Sequence, residues 1–520
     1  MHLIEFIKNN RWTVLFFVVL TIFRVSLIGQ GHRFDLDEDR YLNALYFWIE
    51  VAQGNFSHMS AYLFNAAARP GFILVSLIPA GVQILLLKLK MISILDLHFF
   101  DIPSFFNVLV TVANSFLFLR IAMALVSDYK IALSATIAYS LLVNTNLYIR
   151  HLFPYDYALL FFFMALWIIL KGLKNQQWKF LAAAICGVFS ALGGLIYPGY
   201  FALSLVMTIF LAVSAQSQWL LTLIYCLFFS ATIMVFEGMS QACGVSYLRQ
   251  LFILSHTVDH GSFSEGFLFL MRYLRDVEGL VGGVSFLLFA IYCCYFAFKD
   301  TIKFKWLLIA VVSLFSFNAV MGLVFHQMVF YGRTLHMYFP FLVLATARTL
   351  SLVSNLKWRD YLTKGLVVCS IVSFVPFAYT YLQLSYPGDI FFKYVARVPQ
   401  GKILWFAPPM QGNLDIHPEQ YSAVLSNFES YDNITDAPES LPSNMVLTVS
   451  KPHPLNFPAY TFENFSPQER AMIKSKHYQM QLYLSPDSID QVDHSLHVAF
   501  NPRLPFVYTR NWVGEYMGDR

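Results

Sequence analysis

Gly31-His32-Arg33-Phe34-Asp35-Leu36-Asp37-Glu38-Asp39-Arg40-Tyr41 puts four carboxylates into five positions directly after the apolar run 12–29. Acids beside a bilayer are costly unless they meet water, a cation or a substrate. The stretch therefore reads as the first loop outside the membrane, and as the place for a catalytic base. Arg24 interrupts the preceding run, which is also long for a signal peptide, so 12–29 reads as an uncleaved first span.

The rest of the 520-residue chain fits that reading: 57% of it is hydrophobic, 17% aromatic and 13% charged. About 25% charged is usual for soluble proteins, so this is a polytopic membrane protein. A net charge of +4 is too small to suggest nucleic acid as a partner. The six cysteines fall almost entirely in apolar segments, with neither disulfide nor zinc spacing.

A span needs about 20 mostly apolar residues. Eleven are placed near 12–29, 103–126, 131–147, 157–173, 178–196, 199–215, 219–237, 279–299, 306–325, 335–350 and 362–384. The basic loops around Lys130, Lys171, Lys174, Lys179, Lys305, Arg348 and Arg359 all come out cytoplasmic only if 71–89 does not cross. That segment is therefore expected at the outer interface. So is the helix suggested by Leu42, Leu45, Tyr46 and Ile49, at helical spacing. Residues 1–385 then form a transmembrane domain. Beyond 386, Pro, Asn, Asp and Ser rise and short β-rich runs appear, at 403–406, 445–449, 478–484, 496–500 and 506–508. Residues 386–520 read as an outer α/β domain, with a capping box at Ser466-Pro467-Gln468-Glu469.

This topology sends the candidate chemistry to one face. A lipid-proximal carboxylate among Asp35, Asp37 and Glu38 could deprotonate an acceptor hydroxyl; the plain alternative is a solvated helix start. Arg69, held by Pro70, could grip a phosphate or simply anchor a helix end. Arg150, His151 and Asp156 lie just before an aromatic span, where Asp156 would also serve as an N-cap. Tyr197-Pro198-Gly199-Tyr200 reads as a tight turn, in which only Tyr197 has something to offer a substrate. His326 and Arg333 follow a late span, and Arg333 suits an anionic headgroup.

The order of these features resembles the GT-C superfamily of polyprenyl-phosphate-sugar-dependent glycosyltransferases. The features are an acidic pair in the first outer loop, Arg-Pro opening the next apolar stretch, Arg and Asp before an aromatic span, Tyr-Pro later, and Gly-Arg before Pro340. Protein O-mannosyltransferases and lipid A aminoarabinose transferases belong to that superfamily. The resemblance covers about residues 1–385. It implies a base at Asp37 or Asp35, with Glu38 beside it. It implies a donor phosphate held by Arg69, Arg333 and Arg150, with substrate contacts from Asp156, His151, Tyr197, His326 and His256. The loop 238–278 would cover the acceptor. The second Pro of the family's basic-Pro-Pro motif is here Gly71.

The implied donor is a polyprenyl-phosphate sugar within membrane lipid, and the acceptor is a protein, lipid or glycan hydroxyl. The implied setting is the periplasmic face of a bacterial inner membrane. No cofactor is required, although a divalent cation (Mg or Mn) could sit at Asp35 and Asp37. A lipid-linked-sugar flippase would instead place its acids and helix breaks inside spans. An outer-leaflet polymerase or ligase would not need the early acidic pair.

Overall fold

A computed structural model describes residues 11–28, 40–55, 62–64, 69–92, 100–175, 177–214, 219–257, 267–298, 300, 304–324 and 335–383, together with five strands beyond them. The helices are α1 (Arg11–Ser26), α2 (Arg40–Gln53), α3 (Pro70–Lys88), α4 (Asp101–Leu125), α5 (Tyr129–Ser140), α6 (Tyr155–Gly172), α7 (Lys179–Ile196), α8 (Phe201–Ser214), α9 (Trp219–Ala242), α10 (Tyr247–Thr257), α11 (Phe267–Asp276), α12 (Gly279–Ile291), α13 (Phe304–Leu323), α14 (Phe339–Leu352) and α15 (Leu356–Gln383).

Among the described residues eight helices are long and apolar enough to cross a membrane. Seven coincide with expected spans; the eighth is α3, expected only at the interface. One α3 face, with Phe72, Ile73, Ser76, Ala80 and Gln83, is buried. It packs on α2, α4 and α7, as an integral member of the bundle does. Expected spans 199–215 and 335–350 are shorter helices, Pro198–Val213 and Phe339–Leu352, and α1 has 16 residues.

The expected span 131–147 is broken. α5 stops at Ser140, and residues 142–149 and 151–159 are buried through a four-residue helix, Asn144–Leu147, and a 3-10 turn, Tyr148–Arg150. Asn and Thr compete with helical hydrogen bonding through their own side chains. Thr145 Oγ1 donates to the Leu142 carbonyl at 2.8 Å, and Asn146 Nδ2 donates to the same oxygen at 2.8 Å and to the Ser140 carbonyl at 3.0 Å. Irregular backbone survives at membrane depth only when protein satisfies it. Here Asn107 donates to the carbonyls of Ile149 and His151 at 3.3 and 2.6 Å. The Glu278 carboxylate accepts from the amides of Val143 and Asn144 at 2.7 and 2.9 Å.

The bundle has two chemically different ends. At one, Lys174 donates to the Ala124 carbonyl, Arg359 lies 3.5 Å from Asp128, and Arg348 grips Asp300 with two nitrogens at 2.6 and 2.9 Å. These are the basic loops expected on one side of the membrane. At the other end, the start of α3 abuts the end of α7 so closely that a Cβ on Gly71 would stand 2.6 Å from the Leu195 and Ile196 backbone. A proline at position 71 would meet the same backbone. Gly71→Ala is expected to destabilise the protein by about 1–3 kcal/mol through overpacking. Detergent-phase thermal melts measure this; an unchanged midpoint would contradict the close approach.

The strands form a mixed sheet of order β2-β1-β3-β5-β4: β1 (Ile403–Phe406), β2 (Phe428–Tyr431), β3 (Val446–Lys451), β4 (Gln479–Gln481) and β5 (Arg510–Glu515). β1 is parallel to β2 and β3, pairing Leu404 with Glu429 and Leu447, while β5 runs antiparallel to β3 and β4. Parallel neighbours need crossover connections, in keeping with an α/β arrangement. β1 and β3 fall where the β-rich runs were expected, and β4 lies inside a third. β2 and β5 were not expected, and the runs at 496–500 and 506–508, like the capping box at Ser466, lie outside the described residues.

Candidate functional site

Arg69 is the residue before α3, fixed by Pro70 at the first helical position and by the close contact at Gly71. It is 9% exposed, and its guanidinium lies 5.1 Å from the Tyr197 ring centre. Tyr197 ends α7, and Pro198–Tyr200 form a 3-10 turn, so the turn reading holds. The Tyr197 ring meets Tyr155 edge-on at 4.8 Å and Tyr200 at 6.1 Å.

Asp156 lies in the first turn of α6, where a carboxylate is favoured by the helix dipole. It is not the cap: the cap position is Pro154, and no side chain caps there. Instead Asp156 turns inward. Its Oδ1 lies 3.4 Å from Asn114 Nδ2, which also donates to the Asp156 carbonyl at 2.9 Å, and 3.3 Å from His336 Nε2. The His336 approach has ion-pair distance but is off the N–H axis, so it falls short of a good hydrogen bond. The other ring nitrogen, Nδ1, is 3.2 Å from the Tyr200 hydroxyl. The His336 ring stands edge-on to Tyr148 at 5.4 Å.

The site is recessed. Asp156 is level with Asn114, 13 residues into α4, so α4 extends roughly 20 Å past it at 1.5 Å per residue. Arg24 holds its floor. The side chain is 1% exposed and donates to Asn146 Oδ1 at 3.1 Å, Ser115 Oγ at 3.2 Å and the Ser140 carbonyl at 3.4 Å. Three acceptors offset part of the large cost of burying that charge, and they tie α1 and α4 to the broken segment.

Three sequence motifs thus converge: Arg69, the stretch 148–156, and the turn at Tyr197. His151 packs its ring on Phe153 at 5.4 Å inside the broken segment. Arg150 lies in the 3-10 turn and His256 in α10. Asp35, Asp37, Glu38, His326 and Arg333 lie outside the described residues. Among the described residues, no three of His, Cys, Asp and Glu gather into a set able to hold a metal. Asp35 and Asp37, where a divalent cation could sit, lie outside the described residues.

His336, Tyr200, Arg24 and Glu278 were not singled out by sequence. His336 had a signal, three residues beyond Arg333 and four before Pro340. Arg24 read as an interruption of an apolar run, and Tyr200 as a turn residue.

No family model and no curated protein matches the chain. Solved structures do. A crystal structure of the Archaeoglobus fulgidus oligosaccharyltransferase in complex with Zn and sulfate aligns at 9% identity and a TM-score of 0.48, over 82% of this chain and 63% of that one. A second, tethered with an acceptor peptide containing the NVT sequon, aligns at 9% identity and a TM-score of 0.52, over 96% and 72%. This chain therefore spans under two thirds of the length of the first, and identity this low carries the fold alone. On the second alignment, the chain has the GT-C fold of that archaeal oligosaccharyltransferase.

Proposed function

We propose that this protein is a membrane glycosyltransferase that moves a sugar from a polyprenyl-phosphate donor to a hydroxyl of a protein, lipid or glycan, on the outer face of the membrane. The observation that carries the reading is the convergence of Arg69, Tyr197, Asp156 and His336 in one recessed polar site, opposite the basic end of a GT-C bundle. As the sugar leaves, positive charge grows at C1 and negative charge on phosphate oxygen. Arg69, with Arg333 and Arg150 as further candidates, stabilises charge where it develops. Asp37 takes the acceptor proton.

The chain flanking the acidic stretch supports this. Ile28 packs on the cluster that holds Tyr148 and Tyr155. Asp37 follows nine residues on, within about 30 Å of extended chain.

An apolar cavity of about 280 Å³ between α11, α12, α13 and α14, lined by Leu270, Phe286, Phe289, Phe315, Tyr338 and Phe339, suits an isoprenoid chain beside the site. Residues from about 386 onward form a separate outer domain in this reading.

One base and no covalent intermediate require inversion at C1. Purified protein in detergent, given a panel of radiolabelled polyprenyl-monophosphate sugars and an acceptor extract, is expected to consume one donor and yield the inverted anomer. Retention of configuration would require an enzyme nucleophile and would remove the single-base mechanism.

A further inference from the structure

Each nitrogen of the His336 ring faces a polar neighbour, and the residue is 2% exposed. Nε2 faces Asp156 Oδ1 at 3.3 Å and Nδ1 faces the Tyr200 hydroxyl at 3.2 Å. Tyr200 is itself 1% exposed, on the turn that follows Tyr197. A carboxylate, an imidazole and a phenol thus form a buried chain. It links the start of α6 to the turn between α7 and α8 through a residue just before α14. At 2% exposed the ring is closed off from substrate, so His336 acts through its neighbours.

We infer that His336 is a positioning residue for Asp156, held with its proton on Nε2 by the Tyr200 hydroxyl donating to Nδ1. The second ring nitrogen of a histidine decides the tautomer of the first. A phenol is a far better donor than acceptor toward a neutral imidazole, and a carboxylate accepts only, so both ends select the same tautomer. Asp156 Oδ1 then faces two donors, Asn114 Nδ2 at 3.4 Å and, at ion-pair distance but off the N–H line, His336 Nε2 at 3.3 Å. Such bonds often tighten only in the substrate complex. Placing Asp156 in the reaction rests on the transferase reading above, whereas the tautomer and its coupling to Asp156 do not.

The kinetic test uses the whole chain and five variants. Glutamine can put a donor where Nε2 stood, asparagine only where Nδ1 stood, and alanine neither. H336A and H336N are expected to lower kcat by about 10- to 100-fold, with KM for the donor within about 3-fold, as a misplaced group of unchanged affinity does. H336Q is expected to recover most of the rate. H336A combined with D156N should be no worse than D156N alone. Equal loss in H336Q and H336A, equal recovery by H336N, or additive losses in the double variant would overturn the inference.

A readout independent of turnover is the ¹⁵N spectrum of histidine-labelled protein, with His336 assigned by its disappearance in H336Q. The expected spectrum shows protonated Nε2 and bare Nδ1, with Nε2 shifting in D156N and Nδ1 in Y200F. A proton on Nδ1, or insensitivity to D156N, overturns the inference whatever the activity. If no donor turns over in the wild type, the transferase reading fails separately, and the spectrum still decides the geometry.

Discussion

Truncating Arg69 to alanine is expected to lower kcat/KM for the lipid-phosphate donor by about 100- to 1,000-fold, the range seen when one preorganised donor to developing charge is removed. The magnitude separates two roles. A 100-fold loss corresponds to about 2.7 kcal/mol, whereas stacking on an aromatic ring is worth about 0.5–2 kcal/mol. Losing the contact with Tyr197 therefore cannot account for the expected effect, and most of it must come from phosphate. The site makes the side chain rigid. Pro70 fixes the backbone, Gly71 presses it onto Leu195 and Ile196, and the guanidinium lies over Tyr197. Arg69→Lys keeps the charge but loses the planar fork, and should recover only part of the rate. Steady-state kinetics beside thermal melts measure this. A loss below about 5-fold in a folded Arg69→Ala protein would reduce Arg69 to a helix anchor, since removal of a phosphate ligand exceeds that.

Asp37→Asn is expected to lower kcat by at least about 100-fold while leaving donor binding intact, because it keeps shape and removes only the proton acceptor. Asp35→Asn and Glu38→Gln should lose less, which assigns the base within the acidic stretch. The three rates are to be read together with donor affinity. If Asp35→Asn carries the large loss instead, the base is Asp35 and the mechanism stands.

Much of this was legible in the sequence, for identifiable reasons. Apolar runs give spans whatever their partners, and so α4, α6, α7, α9, α12, α13 and α15 lie where expected. Charge placed Lys174, Arg348 and Arg359 at one end of the bundle. What failed was anything that hydropathy treats as neutral. The run 131–147 is apolar enough for a span, yet Thr145 and Asn146 turn their side chains onto the backbone, Asn144 bonds the Tyr273 hydroxyl, and the helix breaks. Charge counting set α3 at the interface by assuming unbroken spans on either side, whereas its length and apolarity suffice for a crossing.

Within the site, Arg69, Asp156 and Tyr197 stood out because each opens or closes an apolar segment. His336 and Glu278 are tied in only by contacts between elements far apart in sequence, which no local pattern encodes, while Tyr200 shares the turn of Tyr197 but gains its role from His336. Arg24 was visible, but its partners Ser115, Ser140 and Asn146 come from three other elements.

The central claim is transfer rather than transport. The measurement that tests it most directly follows one radiolabelled polyprenyl-monophosphate sugar with wild type and Asp37→Asn, in detergent and in sealed proteoliposomes. The account predicts release of sugar from its lipid by wild type in detergent, where no compartments exist, and at least about 100-fold less by Asp37→Asn. Intact donor in detergent, together with its translocation across the proteoliposome membrane, would contradict the account and make the recessed polar site a transport pathway.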